Sequence, residues 1–153
     1  MDDFDAKILG LLQQDATLPV AEIAEKVGLS TTPCWRRIQK LEAAGVIRAR
    51  VALLDGAMLN AGVTVFVSVR TSRHDTEWLE EFAAVVSAIP EVVEFYRMSG
   101  EIDYLLRIVV PDIAAYDGVY KRLIERITLA DVSSSFAMEQ IKYTTALPLD
   151  YME

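Results

Sequence analysis

Hydrophobic positions recur with two different periods along this 153-residue chain, and the period changes near residue 60. Residues 3–14 place Phe4, Ile8, Leu11 and Leu12 at the i, i+4, i+7, i+8 spacing of an amphipathic helix, with Asp3 and Asp5 at the end where a helix dipole favours acids. Thr17-Leu18-Pro19 breaks that pattern. Pro19 suits the opening of a short second helix, with Ile23, Ala24 and Val27 as its buried face and Gly28 closing it. Ser30 is then a natural N-cap and Pro33 falls in the first turn of a third helix, where a missing N–H costs little. At about 100° per residue, Cys34, Ile38 and Leu41 share one side of that helix. Thr32, Arg36, Gln39 and Lys40 share the other, with Trp35 on the flank. Glu42-Ala43-Ala44-Gly45 ends it, and Val46–Asp55 alternates loosely with many β-formers, as a small wing or a connecting strand does.

Beyond residue 60 the period shortens. Val63–Arg70 alternates as a strand, and residues 75–89 put Leu79, Phe82, Val86 and Ile89 on one helical face before Pro90. Val92–Met98 is a second strand, Ser99–Asp103 a turn, and Tyr104–Val110 a third strand. Asp112 caps a helix reaching about Ile127, with Ile113, Tyr116, Tyr120, Leu123 and Ile127 as core candidates. Val132–Thr144 is a fourth strand. The order β-α-β-β-α-β is the ferredoxin-like arrangement, in which two helices cover one face of an antiparallel sheet. Val65, Val67, Val69, Ile108 and Val110 predict an apolar open face as well, and hence a sheet-to-sheet partner. The fold class is therefore α+β: a winged helix-turn-helix domain over residues 1–60, then a ferredoxin-like domain over residues 61–153.

Charge changes the picture in one respect. The net charge of −8 argues against indiscriminate binding to nucleic acid, but it is unevenly spread. Residues 1–60 hold seven basic and eight acidic residues, and residues 61–153 hold eight and fifteen. Within 36–50, Arg36, Arg37, Lys40, Arg48 and Arg50 face only Glu42. Two short helices joined at a glycine turn, the second with a polar, basic outer face, form the helix-turn-helix pattern of DNA readers. A solvated surface helix has the same composition, so the wheel alone leaves both readings open. If the helix reads DNA, Thr32, Arg36 and Gln39 are the base-edge candidates, because Arg suits guanine, Gln adenine and the Thr methyl thymine. Thr31, Arg37, Lys40, Arg48 and Arg50 then meet the backbone, with Ser30 as cap and Trp35 beside them.

Candidate chemistry elsewhere is sparse. The single cysteine, Cys34, excludes an internal disulfide, and its apolar neighbours favour a core role over a redox one. No apolar run is long enough for a membrane span and the acidic start is unlike a secretory signal, so a cytoplasmic location is expected. His74, the only histidine, sits in a strand–helix connection and reads as a solvated loop residue. No metal-ligand spacing, phosphate loop or nucleophile elbow is present, so neither an enzyme nor a metal cofactor is expected. Asp103, in a turn between two strands, is placed either to cap backbone N–H groups or to meet the ammonium of a small ligand.

Several ordered stretches carry a family resemblance from about Phe4 to Pro148. They are Asp5-Ala6-Lys7-Ile8-Leu9, Val27-Gly28-Leu29-Ser30, Pro33-Cys34-Trp35-Arg36-Arg37, Leu41-Glu42-Ala43-Ala44-Gly45-Val46-Ile47, Pro90-Glu91-Val92, Ser99-Gly100-Glu101-Ile102-Asp103-Tyr104-Leu105-Leu106, Ser134-Ser135-Phe136 and Ile141 through Pro148. Together they resemble the Lrp/AsnC, or feast/famine, regulators. The resemblance implies a DNA-binding domain and a ligand-binding (RAM) domain. It further implies dimers that assemble into tetramers or octamers, and a small amino-acid effector bound near interfaces between RAM domains. By position, the effector loop is Gly100, Glu101, Ile102, Asp103 and Tyr104, with Ser134 and Ser135 of a neighbouring subunit. Thr31–Trp35, Glu77-Trp78, Arg97-Met98, Tyr120–Leu123 and Ser135–Tyr143 most resemble the cysteine-responsive subgroup, which implies cysteine or another sulfur or branched-chain amino acid as effector. Ile102, at a site often polar or aromatic in relatives, and Gly56, where proline is frequent, depart from the family pattern. The rival readings are a ligand-sensing assembly protein that reads no DNA, and a small ferredoxin-like enzyme.

Overall fold

A computed structural model describes residues 1–152. The chain forms two compact units, residues 1–53 with the tail from residue 142, and residues 54–141. This differs from the expected division at 60/61. The tail belongs to the first unit because the Gln13 side-chain amide holds the Leu147 backbone twice. Its Nε2 donates to the Leu147 carbonyl at 3.0 Å and its Oε1 accepts the Leu147 N–H at 2.9 Å. Leu149 of the tail lies beside Gly10 of the first helix.

The first unit packs three helices, α1 (Asp3–Leu12), α2 (Val20–Val27) and α3 (Thr31–Ala43). Asp2 and Asp5 form a reciprocal capping box at the start of α1, each carboxylate accepting the other's N–H at 3.0–3.1 Å. Gly28 ends α2 with φ of 78°, a left-handed conformation that glycine adopts without steric cost. Ile8, Leu12, Ile23, Ala24, Val27, Cys34, Ile38 and Leu41 form one buried core. Ala24, the smallest of these side chains, is 2% exposed. One expectation here holds in position only, and a second fails. Ser30 occupies the N-cap position, but its hydroxyl makes no capping hydrogen bond. Residues 46–55 form no strand, and so no wing: none of the described strands pairs with them, and Val51, Leu53 and Leu54 stay largely exposed.

Cys34 is fully buried, and burial pushes its thiol above the usual range, opposed only in part by Arg37. The thiolate is the reactive form, so a thiol reagent is expected to label the native protein slowly and the denatured protein at once. Stoichiometric labelling of folded protein within seconds would contradict this.

The second unit contains β1 (Val63–Arg70), α4 (Thr76–Ser87), β2 (Val92–Arg97), β3 (Tyr104–Val110), α5 (Ile113–Arg126) and β4 (Asp131–Phe136). Its sheet has the order β2-β3-β1-β4, and every neighbouring pair is antiparallel. The expected ferredoxin-like arrangement is present. One face is covered by Trp78, Phe82 and Val86 of α4 and by Tyr116, Val119 and Leu123 of α5. Val65, Val67, Val69, Ile108 and Val110 lie on this covered face, at 0–1% exposure, and not on the open one. The open face is mixed instead: Phe66 opposes Arg107, Ser68 opposes Leu105, and Arg107 pairs with Glu94 at 2.5 Å. Consecutive strand residues point to opposite faces, so assigning the valines to the helices hands the alternate, more polar set to the other side. Strand β4 stops at Phe136 rather than Thr144. Ala137 makes the last bond, to the Thr64 carbonyl, and β1 begins at Val63, so nothing remains for later residues to pair with. Ile113, expected in the core, is 69% exposed at the first turn of α5.

Candidate DNA interface and effector loop

The α3 wheel is realised in three dimensions. Cys34, Ile38 and Leu41 anchor the helix, which leaves Thr31, Thr32, Arg36, Gln39 and Lys40 exposed, with Trp35 half exposed. Among the described residues, neither Arg36 nor Lys40 has a carboxylate within ion-pair distance. Both line an open groove of about 660 Å³ between α3 and the start of α1. Arg48 is also exposed.

Arg37 has a different occupation. Its Nη1 lies 2.8 Å from Asp2 and 2.9 Å from Asp5, and its guanidinium sits 5.3 Å from the centre of the Phe4 ring. It therefore braces α3 against the start of α1. Gln39 and Arg50 share Glu42, with Gln39 Nε2 donating to Oε2 at 3.0 Å and Arg50 Nη2 to Oε1 at 2.8 Å. Of the three base-edge candidates, Thr32 and Arg36 have no side-chain partner among the described residues, whereas Gln39 is held by Glu42. The Asp2–Asp5–Arg37 cluster was missed in the sequence, although acids three apart at a helix start are the spacing of a capping box.

The Asp5 N–H, and Arg37 beside it, hold the Asp2 carboxyl below the usual carboxylate range. A folded value below the unfolded one means the contribution is complete above the unfolded pKa and is lost as pH falls through the depressed value. Asp2→Asn is therefore expected to make acid unfolding less steep, followed by circular dichroism. Superimposable acid curves would show that the cluster adds nothing, as many exposed ion pairs do.

In the second unit, the loop between β2 and β3 turns at Gly100, whose φ of 110° favours glycine. Asp103 closes the loop. Its N–H donates to the Val69 carbonyl at 2.9 Å, its carbonyl accepts from Met98 N–H at 2.8 Å, and its Oδ2 accepts the Thr71 N–H at 2.8 Å. Arg70 Nε donates to the Glu101 carbonyl at 2.9 Å. Glu101 is exposed and Ile102 partly buried. Tyr104 is 5% exposed, its ring packed among Trp78, Phe82 and Phe95 with centroids 5.1–5.8 Å away. Ser134 and Ser135 lie on β4, separated from β3 by β1. Ser134 meets the Tyr116 hydroxyl on the covered face, while Ser135 opposes Phe66 on the open one. One chain therefore gathers Gly100–Tyr104 but does not bring the two serines together with them.

A helix-turn-helix head is thus joined to a ferredoxin-like sheet with a structured β2–β3 loop. Residues 1–42 match the AsnC-type helix-turn-helix domain, and residues 64–147 match the Lrp/AsnC ligand binding domain. The chain belongs to the Lrp/AsnC family of transcriptional regulators. It is similar to the DNA-binding transcriptional activator DecR of Escherichia coli K12, with 51% identity over 151 residues, 98% of this chain and 99% of the relative. The crystal structure of an AsnC family transcriptional regulator from Agrobacterium tumefaciens is 70% identical, with a TM-score of 0.97 and full coverage of both chains. A transcriptional regulator from Neisseria meningitidis, solved as a complex with L-Met, is 38% identical with a TM-score of 0.94, covering 100% of this chain and 99% of that one. These relatives are regulators, not enzymes. Among the described residues, no helix is long and apolar enough to cross a membrane, and no group of three acidic, His or Cys side chains could hold a metal ion.

Proposed function

We propose that this chain is an amino-acid-responsive regulator that reads a specific double-stranded DNA sequence with α3 and senses its effector in the second unit. The observation that carries the reading is the face of α3: Arg36 and Lys40, without a carboxylate partner among the described residues, project beside Thr32 from a helix anchored by three buried side chains. The acidic remainder of the chain disfavours indiscriminate binding, so affinity comes from base contacts and from several heads acting together. The supply of heads is self-association. Val51, Leu53, Leu54, Met58, Met138 and Ile141 are 64–95% exposed on segments outside the helices and strands, and a second copy would cover them. A homodimer, assembling further into a tetramer or octamer, accords with this surface. A cytoplasmic location follows from action on DNA.

The effector is an amino acid, as the L-Met complex of the Neisseria relative suggests, and cysteine, methionine and the branched-chain amino acids are the first to try. The effector shifts assembly or DNA affinity only by its difference in affinity between the states. Gel-shift titration of the full chain against DNA upstream of its own gene is the direct test. A complex that survives excess unrelated DNA and changes with one amino acid supports the reading. Equal competition by unrelated DNA would refute sequence reading and leave a sensing assembly protein.

A further inference from the structure

We infer that Asp2 and Asp5 are specificity-determining residues for DNA binding: they withhold Arg37 from the phosphate backbone and leave a net negative charge beside the reading face, so that arbitrary DNA is held weakly. This rests on the DNA-reading proposal above and goes beyond it, because it gives the two acids a part in recognition as well as in holding α3. Asp2, Asp5 and Arg37 line the same open groove as Arg36 and Lys40, so a duplex drawn to the two free cations meets the acids too.

The cluster holds more charge than a brace requires. One carboxylate balances one guanidinium, yet Arg37 Nη1 lies 2.8 Å from Asp2 and 2.9 Å from Asp5, and the three side chains together carry one negative charge. The Phe4 ring also holds the guanidinium, 5.3 Å from its centre. The capping box does not need the charge either. Asp2 Oδ1 accepts the Asp5 N–H at 3.0 Å and Asp5 Oδ2 accepts the Asp2 N–H at 3.1 Å, bonds that a neutral asparagine oxygen makes about as well. The Asp2 side chain is 52% exposed, so its charge bears on whatever enters the groove.

Affinity for any duplex rises with the number of phosphates neutralised, each adding about 0.9 to the slope of log affinity against log salt. Arg37, engaged by both acids, adds nothing to that count, and the excess carboxylate repels a phosphate that approaches the groove. The restraint falls unequally. A non-specific complex shifts along the duplex until phosphates meet every available cation. A docked complex has its register set by base edges, and gains from a freed Arg37 only where a phosphate already lies within reach. Disfavouring the wrong partner sharpens selectivity without any new contact to the right one.

The test uses the full chain with a duplex from upstream of its own gene and an unrelated duplex of equal length. Binding is followed by fluorescence anisotropy at several salt concentrations. The double variant Asp2→Asn with Asp5→Asn, which keeps an acceptor oxygen for each cap, should bind the unrelated duplex about 10-fold more tightly at low salt. Its salt slope should steepen by about 0.9 for each engaged head, and the own-gene duplex should gain less, so the ratio of the two affinities falls. Adding Arg37→Ala should return the slope to the wild-type value, which a purely bracing role would not produce. A double variant that melts at the wild-type temperature with an unchanged slope overturns the inference, as does an equal gain on both duplexes. If the double variant unfolds, Asp2→Asn alone decides: it leaves the Asp5–Arg37 pair in place and should still raise affinity for the unrelated duplex, and unchanged affinity overturns the inference. Wild-type preference for the own-gene duplex that survives in the variants refutes the role of the acids and leaves sequence reading standing. Wild type without that preference refutes sequence reading itself.

Discussion

Arg36→Ala is expected to lower operator affinity by about 5- to 150-fold for each engaged head, the equivalent of the roughly 1–3 kcal/mol that a good base contact contributes. In a dimer on two half-sites the loss is doubled in free energy, because the same contact disappears twice. The stability of the protein should not change, since Arg36 is exposed and has no ion-pair partner among the described residues. The discriminating measurement is selectivity. With the guanidinium gone, one base position in each half-site should become degenerate in a binding-site selection, while the salt dependence stays close to wild type. Lys40→Ala should do the reverse, weakening all sequences and flattening the slope of affinity against salt. If Arg36→Ala binds the operator as wild type does, α3 docks on some other face. Arg37→Ala is the necessary comparison, because its two carboxylate partners mark it as a brace of α3.

That distinction between Arg36 and Arg37 shows where sequence reading reached its limit. The period of apolar residues located all five helices, the ferredoxin-like order and the buried side of α3, because those follow from local spacing. It did not reveal which basic residue was engaged, since the partners of Arg37 lie more than thirty positions away and are chosen by packing. The same holds for the sheet. Alternation places Val65, Val67 and Val69 on one face of a strand, but only the helices decide which face is covered. Which residues of β2 and β3 oppose one another, Arg97 and Tyr104 among them, depends on a register that a bulge between Val92 and Glu94 shifts. The wing and the long fourth strand failed for a related reason. Residues 48–55 and 137–144 have strand-like composition but no partner within the chain, and a strand is defined by its partner.

Asp103 offers the sharpest separation of a structural from a sensing role, because its carboxylate caps the N–H of the nearly buried Thr71 while the loop around it is the proposed effector site. Asp103→Ala should leave that N–H without an acceptor, at about 1–3 kcal/mol. For a chain of this size that lowers Tm by roughly 2–4 °C per kcal/mol. Asp103→Asn keeps an acceptor oxygen and should restore most of that loss. The effector response separates further. A ligand present at 100 times its Kd stabilises the native state by about 2.7 kcal/mol. If the second carboxylate oxygen meets the effector's ammonium, this increment should vanish in both variants, although Asp103→Asn keeps most of the wild-type stability. A full thermal response in Asp103→Asn would confine Asp103 to holding the loop against β1, and recognition of the ammonium would then fall to other groups. Should Asp103→Asn melt as low as Asp103→Ala, the carboxylate's charge, and not merely its acceptor oxygen, would be what holds the β2–β3 loop closed.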